Sequence, residues 1–182
     1  MSASALARIA GLFVRADVPY AVIGAHGVNA WLEPRFTADI DITASIDPPA
    51  LLRLRRTFAD AGYEPTVEYG GHLPSGPDFV RFASRDRLTI VEIQAAKTAL
   101  QLEVVRRART SSDGIRVATP EDLIVLKLIA DRPKDRQDLL GLVALPDLDW
   151  AHVEQWAAEW DVTERLAALR REVSRERSPQ PR

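Results

Sequence analysis

The chain has 182 residues, of which 46% are hydrophobic and 27% are charged, and its formal net charge is −2. This length suits one domain with a short helical extension, and the composition excludes a disordered or fibrous chain. The small negative charge argues against a nucleic-acid binder that uses its whole surface, although a local basic face stays open. Because the sequence has no cysteine, sulfur-ligated zinc and thiolate catalysis are excluded, and oxygen-ligated metals are favoured.

The sequence shows no sign of a membrane partner. No stretch approaches the roughly 18 consecutive apolar residues that a membrane span needs. The N-terminus also lacks a basic segment followed by an apolar core and a cleavage site. We therefore expect a cytoplasmic protein.

The chain opens with a predicted helix, strand, turn and second helix. Apolar residues at helical spacing predict a helix over residues 4–16, and a short apolar run predicts a strand at 20–23. Gly24 begins a tight turn into a helix predicted to run from Ala25 to Leu32, where the Glu-Pro pair that follows ends it.

Acidic and apolar side chains alternate in residues 38–43, which is the period of a strand. Asp39 and Asp41 then point to the same face, with side-chain roots about 6.5–7 Å apart. Burying two uncompensated carboxylates is costly, so this strand needs a cation, a base or open water nearby.

The middle of the chain predicts more strands around a third carboxylate. Glu92 lies in the second strand of a predicted hairpin, among apolar neighbours. The segments predicted here are a helix starting at Asp47 and ending at Gly62, a strand at 63–67, a loop at 68–77, hairpin strands at 79–83 and 88–94, a helix at 98–107 and a strand at 115–118.

The last third of the chain predicts helices alone. Thr119 and Pro120 form a strong start signal for a helix through Ala130. Further helices are predicted at 134–145, 150–160 and 162–173. We therefore expect an α+β fold with a small mixed β-sheet and flanking helices in residues 1–118, a helical C-terminal region at 119–174, and a mobile tail at 175–182.

Carboxylates on separate strands of one sheet could meet at one edge and bind metal. Magnesium takes octahedral oxygen ligands and leaves room for water and substrate phosphates, and two such ions serve phosphoryl or nucleotidyl transfer. The turn that begins at Gly24 offers small residues and backbone amides at a helix N-terminus, which suits phosphate oxygens.

These motifs resemble a known family. Ala21-Val-Ile-Gly-Ala-His-Gly-Val-Asn-Ala30, followed by Arg35-Phe-Thr-Ala-Asp-Ile-Asp-Ile42, resembles the DNA polymerase beta-like nucleotidyltransferase superfamily, where Gly-Gly or Gly-Ser precedes Asp-x-Asp. The run from Thr119 to Asp138 is similar to the helix pair of the AbiEii-type branch, which includes toxins of toxin–antitoxin systems. The resemblance covers about residues 15–145.

The resemblance implies a nucleotidyltransferase fold and a metal-dependent enzyme. It would move a nucleoside monophosphate from a nucleoside triphosphate such as ATP to a hydroxyl of an acceptor: tRNA or another RNA, a protein, or a small molecule. An antitoxin protein is an implied partner. Asp39, Asp41 and Glu92 would be catalytic and would hold two Mg²⁺ ions. The residues implied to contact the triphosphate are Gly24, Ala25, Lys127, Arg132 and Lys134, with Asp135 in the same charged turn.

Two positions depart from the family pattern. Ala25 replaces a small polar residue or glycine, so a hydroxyl contact to phosphate is missing while the backbone amide remains. Glu92 replaces the more usual aspartate, which moves the carboxylate by about 1.5 Å. These departures motivate an alternative function, a catalytically weakened module of the same fold that binds a nucleotide or a partner protein.

Each candidate residue also has a purely structural interpretation. The Asp-x-Asp strand could be a solvated face, and Glu92 an exposed strand residue. His26 is a secondary candidate for substrate contact, and we favour a local hydrogen-bonding role for it. Lys127 could extend along an apolar helix face to reach water. Residues 132–138 could be only a salt-bridged helix start. Core packing fits the three C-terminal tryptophans better than base stacking: Trp150, Trp156 and Trp160.

Overall fold

The computed structural model describes residues 4–72 and 76–177. These residues divide into two compact units. The first contains residues 4–30 and Pro34–Ala118, and the second contains Trp31–Glu33 and residues 119–177. No helix among the described residues combines the length and the apolar character that crossing a membrane requires.

The first unit contains a mixed β-sheet with helices on its faces, as predicted. Along the sheet the strands are ordered β3-β4-β5-β2-β1-β7-β6. The pairs β2–β5 and β1–β7 are parallel, and the other neighbouring pairs are antiparallel. The elements are α1 (Ala5–Ala16), β1 (Tyr20–Val22), α2 (Gly24–Val28), β2 (Asp39–Ala44), α3 (Pro48–Asp60), β3 (Tyr63–Tyr69), β4 (Phe79–Ser84), β5 (Ile90–Ala95), α4 (Ala99–Arg107), β6 (Arg109–Thr110) and β7 (Arg116–Val117).

One face of this sheet packs on α1 and α3 to form the main hydrophobic core. Phe13 of α1, Phe58 of α3 and Phe82 of β4 are fully buried there, and the ring of Phe58 contacts both of the others. Ile40 and Ile42 of β2 belong to the same core. Because side chains alternate along a strand, Asp39 and Asp41 point to the opposite face.

The second unit is helical, as predicted. Its elements are α5 (Pro120–Ala130), a short 3-10 helix (Pro133–Asp135), α6 (Arg136–Val143), α7 (Trp150–Glu159) and α8 (Thr163–Arg177). The predicted start signal is confirmed, because the Thr119 hydroxyl accepts a hydrogen bond from the backbone N–H of Asp122. The prediction that the tryptophans pack in the core is confirmed for Trp156, which is 7% exposed. It is wrong for Trp160, which is 38% exposed. The guanidinium of Arg170 covers the Trp150 ring at 4.1 Å.

Several boundaries differ from the sequence predictions. Helix α2 ends at Val28 rather than Leu32, because the Asn29 side chain donates to the backbone oxygen of Arg35 and accepts from its N–H, which closes a loop instead. Strand β3 continues to Tyr69, paired with Phe79. Strand β6 was not predicted, since two residues are too few to show a pattern. Helix α8 reaches Arg177, so the first residues of the predicted tail are helical; residues 178–182 lie outside the described residues.

Candidate active site

Two of the three predicted carboxylates lie side by side in the sheet. Strand β2 lies between β1 and β5, and in the parallel pair β2–β5 Asp41 is directly opposite Glu92. Directly opposite residues of parallel strands project from the same face, about 4.8 Å apart. Asp39 follows on that face, opposite Ile90. The structure therefore brings Asp39, Asp41 and Glu92 onto one face of the first unit.

The glycine turn at the end of β1 adjoins the same place. The backbone N–H of Ile23 donates to the backbone oxygen of Asp41 at 2.9 Å, which ties the end of β1 to β2. Gly24 follows with φ +60°, and a Cβ added to it would lie 2.1 Å from Oδ2 of Asp41. Only glycine fits here without displacing that carboxylate, so the turn and the side chain of Asp41 are closely packed.

Replacing this glycine tests how closely the turn and the carboxylate are coupled. Gly24→Ala is expected to destabilise the protein by about 1–2 kcal/mol from the left-handed backbone alone, and to displace the Asp41 carboxylate as well. Gly62→Ala is the matched control, because Gly62 has φ +84° but nothing lies within 4 Å of its added Cβ. Thermal unfolding and Mn²⁺ binding measure the two effects. We expect both variants to lose stability and only Gly24→Ala to lose Mn²⁺ affinity; equal Mn²⁺ affinities would contradict the coupling.

A cation that the sequence analysis missed sits beside Glu92. Arg81 of β4 is opposite Glu92 in the antiparallel pair β4–β5, and its Nε and Nη2 donate to Oε1 of Glu92 at 3.0 and 2.5 Å. The hydrogen bond from Arg81 to Glu92, then the charges of Glu92 and Asp39, raise the pKa of Arg81. The sequence did show Arg81 as a single basic residue in the middle of an apolar hairpin strand. Its partner, however, depends on the strand register.

The three predicted carboxylates are chemically suited to a hard divalent cation, but their side chains are not close enough together to bind one in this conformation. Among residues 4–72 and 76–177, no three His, Cys, Asp or Glu side chains are close enough together to hold a metal ion. Asp39, Asp41 and Glu92 supply the carboxylate oxygens that magnesium prefers. Oε1 of Glu92 is already bonded to the guanidinium of Arg81.

The predicted triphosphate lysine is buried within the second unit. Lys127 is 4% exposed, and its Nζ donates to Oδ1 of Asp135 at 2.6 Å and to Oδ2 of Asp138 at 2.8 Å. The alternative in which Lys127 reaches out to water is therefore wrong. Arg132 donates to Oδ2 of Asp135 at 2.6 Å while half of its side chain stays exposed, and Lys134 is exposed. Contact between these cations and a triphosphate stays a prediction.

The carboxyl group of Asp135 makes this cluster sensitive to acid. Burial raises the pKa of Asp135, but the hydrogen bonds from Arg132 and Lys127 outweigh it, so the pKa lies below its ordinary value. A carboxyl group with a lowered folded-state pKa contributes stability above its unfolded pKa of about 3.9 and loses that contribution as the pH falls through the folded value.

We therefore expect the stability difference between the wild type and Asp135→Asn to be constant above about pH 5 and to shrink below about pH 4. Urea unfolding at a series of pH values measures it. A difference that grows toward low pH would contradict this assignment.

His26, the secondary candidate, is half-buried on α2. Burial lowers the pKa of His26, which favours the neutral imidazole near pH 7. A neutral ring can donate or accept a hydrogen bond but adds no positive charge for phosphate. His26 therefore stays a secondary candidate.

Comparison with known proteins gives matches to solved structures only. No family model matches the sequence, and no curated protein matches it. The solution structure of the antibiotic-resistance factor ANT(2'')-Ia matches with a TM-score of 0.56 and 18% identity, covering 91% of this chain and 92% of that one. The lincomycin-bound lincosamide antibiotic adenylyltransferase LnuA matches with a TM-score of 0.52 and 17% identity, covering 75% and 92%.

The Megavirus polyadenylate synthase also matches, with a TM-score of 0.52 and 17% identity, covering 76% of this chain and 30% of that one. At such identities the likeness shows the fold and nothing beyond it. The chain therefore has a nucleotidyltransferase fold.

Proposed function

We propose that the protein is a metal-dependent nucleotidyltransferase, which moves a nucleoside monophosphate from a nucleoside triphosphate to a hydroxyl group of an acceptor. One observation carries this proposal: Asp41 lies opposite Glu92 in the sheet, and its carboxylate lies against the Cα of Gly24. Acidic side chains of two strands thus lie on one face, and one of them packs against a glycine turn, the arrangement that the sequence resemblance implies.

The three carboxylates have distinct proposed roles. Asp39 and Asp41 would hold two Mg²⁺ ions, and Glu92 would complete the ligand set or take the proton from the acceptor hydroxyl. When bound, the ions supply charge neutralisation at the triphosphate and a lower pKa of the attacking hydroxyl. Gly24 and Ala25 would bind phosphate through their backbone amides. Ala25 cannot add a hydroxyl contact, so the backbone carries this role alone.

The cations of the second unit are proposed to contact the triphosphate, as the resemblance implies. Arg132 and Lys134 are the exposed members of this group and could reach an anion directly. Lys127 is held by two buried aspartates, so its contact with phosphate would require one of those ion pairs to loosen. Because Lys127 is buried, we assign it mainly a structural role.

The acceptor class is the open part of the proposal. We propose the AbiEii-type branch on the basis of residues 119–138, which makes a cytoplasmic toxin that modifies tRNA or a protein, with an antitoxin partner, one candidate. Antibiotics form the other, because this chain spans 92% of the length of both ANT(2'')-Ia and LnuA. The acceptor panel should therefore contain total RNA with tRNA, total protein, and antibiotics including lincomycin.

Label transfer tests this proposal directly. The protein is incubated with each α-labelled nucleoside triphosphate, Mg²⁺ and one acceptor class at a time. We expect label on one acceptor class, with loss of transfer when EDTA removes the metal. Absence of label on every class with all four triphosphates would contradict transferase activity. If RNA or protein is labelled, growth arrest on induced expression would support the toxin role.

A binding module without catalysis is the second candidate, and the pairing of Arg81 with Glu92 favours it. A guanidinium already neutralises the third carboxylate, and Ala25 removes a phosphate contact. Calorimetry with each triphosphate, with and without Mg²⁺, separates the two candidates. Metal-dependent nucleotide binding without transfer to any acceptor would favour the module over the enzyme.

A further inference from the structure

We propose that Arg81 is a positioning residue that competes with the divalent cation for Glu92. Arg81 would hold Glu92 until a divalent cation binds to the carboxylates. The guanidinium that Glu92 then releases would bind a phosphate of the nucleotide. The inference rests on the proposed function of the same site and adds to it a residue that couples metal binding to nucleotide binding.

The register of three strands places the competing groups in one row. Arg81 of β4 is opposite Glu92 of β5, and Glu92 is opposite Asp41 of β2. All three side chains therefore project from the same face of the sheet. Glu92 stands between the guanidinium and Asp41, so a rotation of its side chain exchanges one partner for the other.

The ion pair between Arg81 and Glu92 can be broken at little cost. Both Arg81 donors bond to a single oxygen, Oε1 of Glu92, so the pair is not the bidentate one in which each donor bonds a different carboxylate oxygen. The side chain of Arg81 is 40% exposed and that of Glu92 is 23% exposed. Ion pairs with this access to water contribute little to stability, so opening this one costs little.

The charge of Arg81 opposes metal binding in two ways. A guanidinium is always protonated in proteins, so its positive charge repels a cation at the same carboxylates. It also occupies Oε1, one of the two carboxylate oxygens of Glu92. Once displaced, the planar fork of the guanidinium matches phosphate oxygens, so the triphosphate gains a ligand when the metal enters. Metal and nucleotide should therefore increase each other's affinity.

The test measures Mn²⁺ binding without nucleotide, by electron paramagnetic resonance or calorimetry, in Arg81→Gln. We expect Arg81→Gln to bind Mn²⁺ about tenfold more tightly than the wild type, because the positive charge that repels the cation and competes for Glu92 is removed. Arg81→Lys keeps the positive charge and should stay near the wild-type affinity. In a Glu92→Gln background the Arg81 substitution should add little, because the shared carboxylate is gone.

A matched control is available in the same unit. Arg55 of α3 forms a comparable ion pair with Glu68, with side-chain exposures of 35% and 31%. Arg55→Gln also removes one positive charge, but at a site that does not include Asp41 or Glu92, so it should leave Mn²⁺ affinity unchanged. Thermal unfolding by circular dichroism confirms that each variant is folded.

The second measurement is binding of a non-hydrolysable triphosphate with saturating Mn²⁺. Arg81→Gln should bind it about tenfold more weakly, since a charge-assisted hydrogen bond to phosphate is lost. Tighter metal binding with weaker nucleotide binding is a pair of opposite shifts that a purely structural residue would not produce.

The outcomes separate this inference from the proposed function. If the wild type binds Mn²⁺ and folded Arg81→Gln binds it equally or more weakly, the competition is overturned while the metal site stands. If neither protein binds Mn²⁺, with or without a triphosphate, both the inference and the proposed metal-dependent function are overturned.

Discussion

An Asp41→Asn variant is expected to lose Mg²⁺-dependent nucleotidyl transfer by a factor on the order of a thousand or more, while it keeps the wild-type fold. The carboxamide is neutral, and it replaces one of the carboxylate oxygens that face the Gly24 turn. Losing a metal ligand removes several kcal/mol of charge stabilisation from the transition state, and each 1.36 kcal/mol or so is a factor of ten in rate.

The fold should survive this change because β2 is held through its backbone. The backbone oxygen of Asp41 accepts from Ile23, and the strand register with β5 does not involve the side chain. Label transfer and thermal unfolding are measured together. Asp60→Asn is the control for replacing an aspartate by asparagine at a position away from the site. Asp60 lies at the exposed end of α3, and this variant should remain fully active. A folded Asp41→Asn protein with wild-type activity would remove the proposed mechanism.

Replacing Lys127 by methionine is expected to cost about 3–5 kcal/mol of folding stability. Lys127 is 4% exposed and is bonded to Asp135 and Asp138, whose side chains are 2% and 5% exposed. Methionine keeps most of the volume but leaves two buried carboxylates without that cation. Arg132 still donates to Asp135, so the charge of that carboxylate stays partly compensated. Urea unfolding, followed by tryptophan fluorescence, measures the loss.

The control for this prediction is the same substitution at a neighbouring position. Lys134 is exposed, and Lys134→Met should change stability by no more than about 0.5 kcal/mol. Equal stabilities of the two variants would show that the buried ion pairs contribute nothing measurable. Label transfer by Lys134→Met reports separately on the proposed phosphate contact, because its fold should be intact.

The sequence anticipated the metal-site candidates because their patterns are local. Alternation in residues 38–43 is enough to put Asp39 and Asp41 on one strand face, and the turn at Gly24 follows a short apolar strand. The hairpin that carries Glu92 was also predicted from its polar turn, and the antiparallel pair β4–β5 confirms it. These features depend on residues within one element or one turn.

Errors in the predictions arose where distant parts of the chain compete with local propensity. Helix α2 stops at Val28 because the Asn29 side chain bonds to the backbone of Arg35, a contact that helical periodicity does not reveal. Lys127 looked able to reach water along its helix, and only the aspartates of the following turn and helix show that it is enclosed.

By itself, the sequence determined the α+β class, the helical C-terminal region, and the acidic strand next to a glycine turn. Only the tertiary structure decided that Asp41 is opposite Glu92, and that Arg81 holds Glu92 from the other side. The physical reason is strand register. Asp41 meets Glu92 through backbone hydrogen bonds between strands whose paired residues are 51 positions apart. Arg81 meets Glu92 through the register of the β4–β5 hairpin, and a shift of one residue there would turn Arg81 to the opposite face.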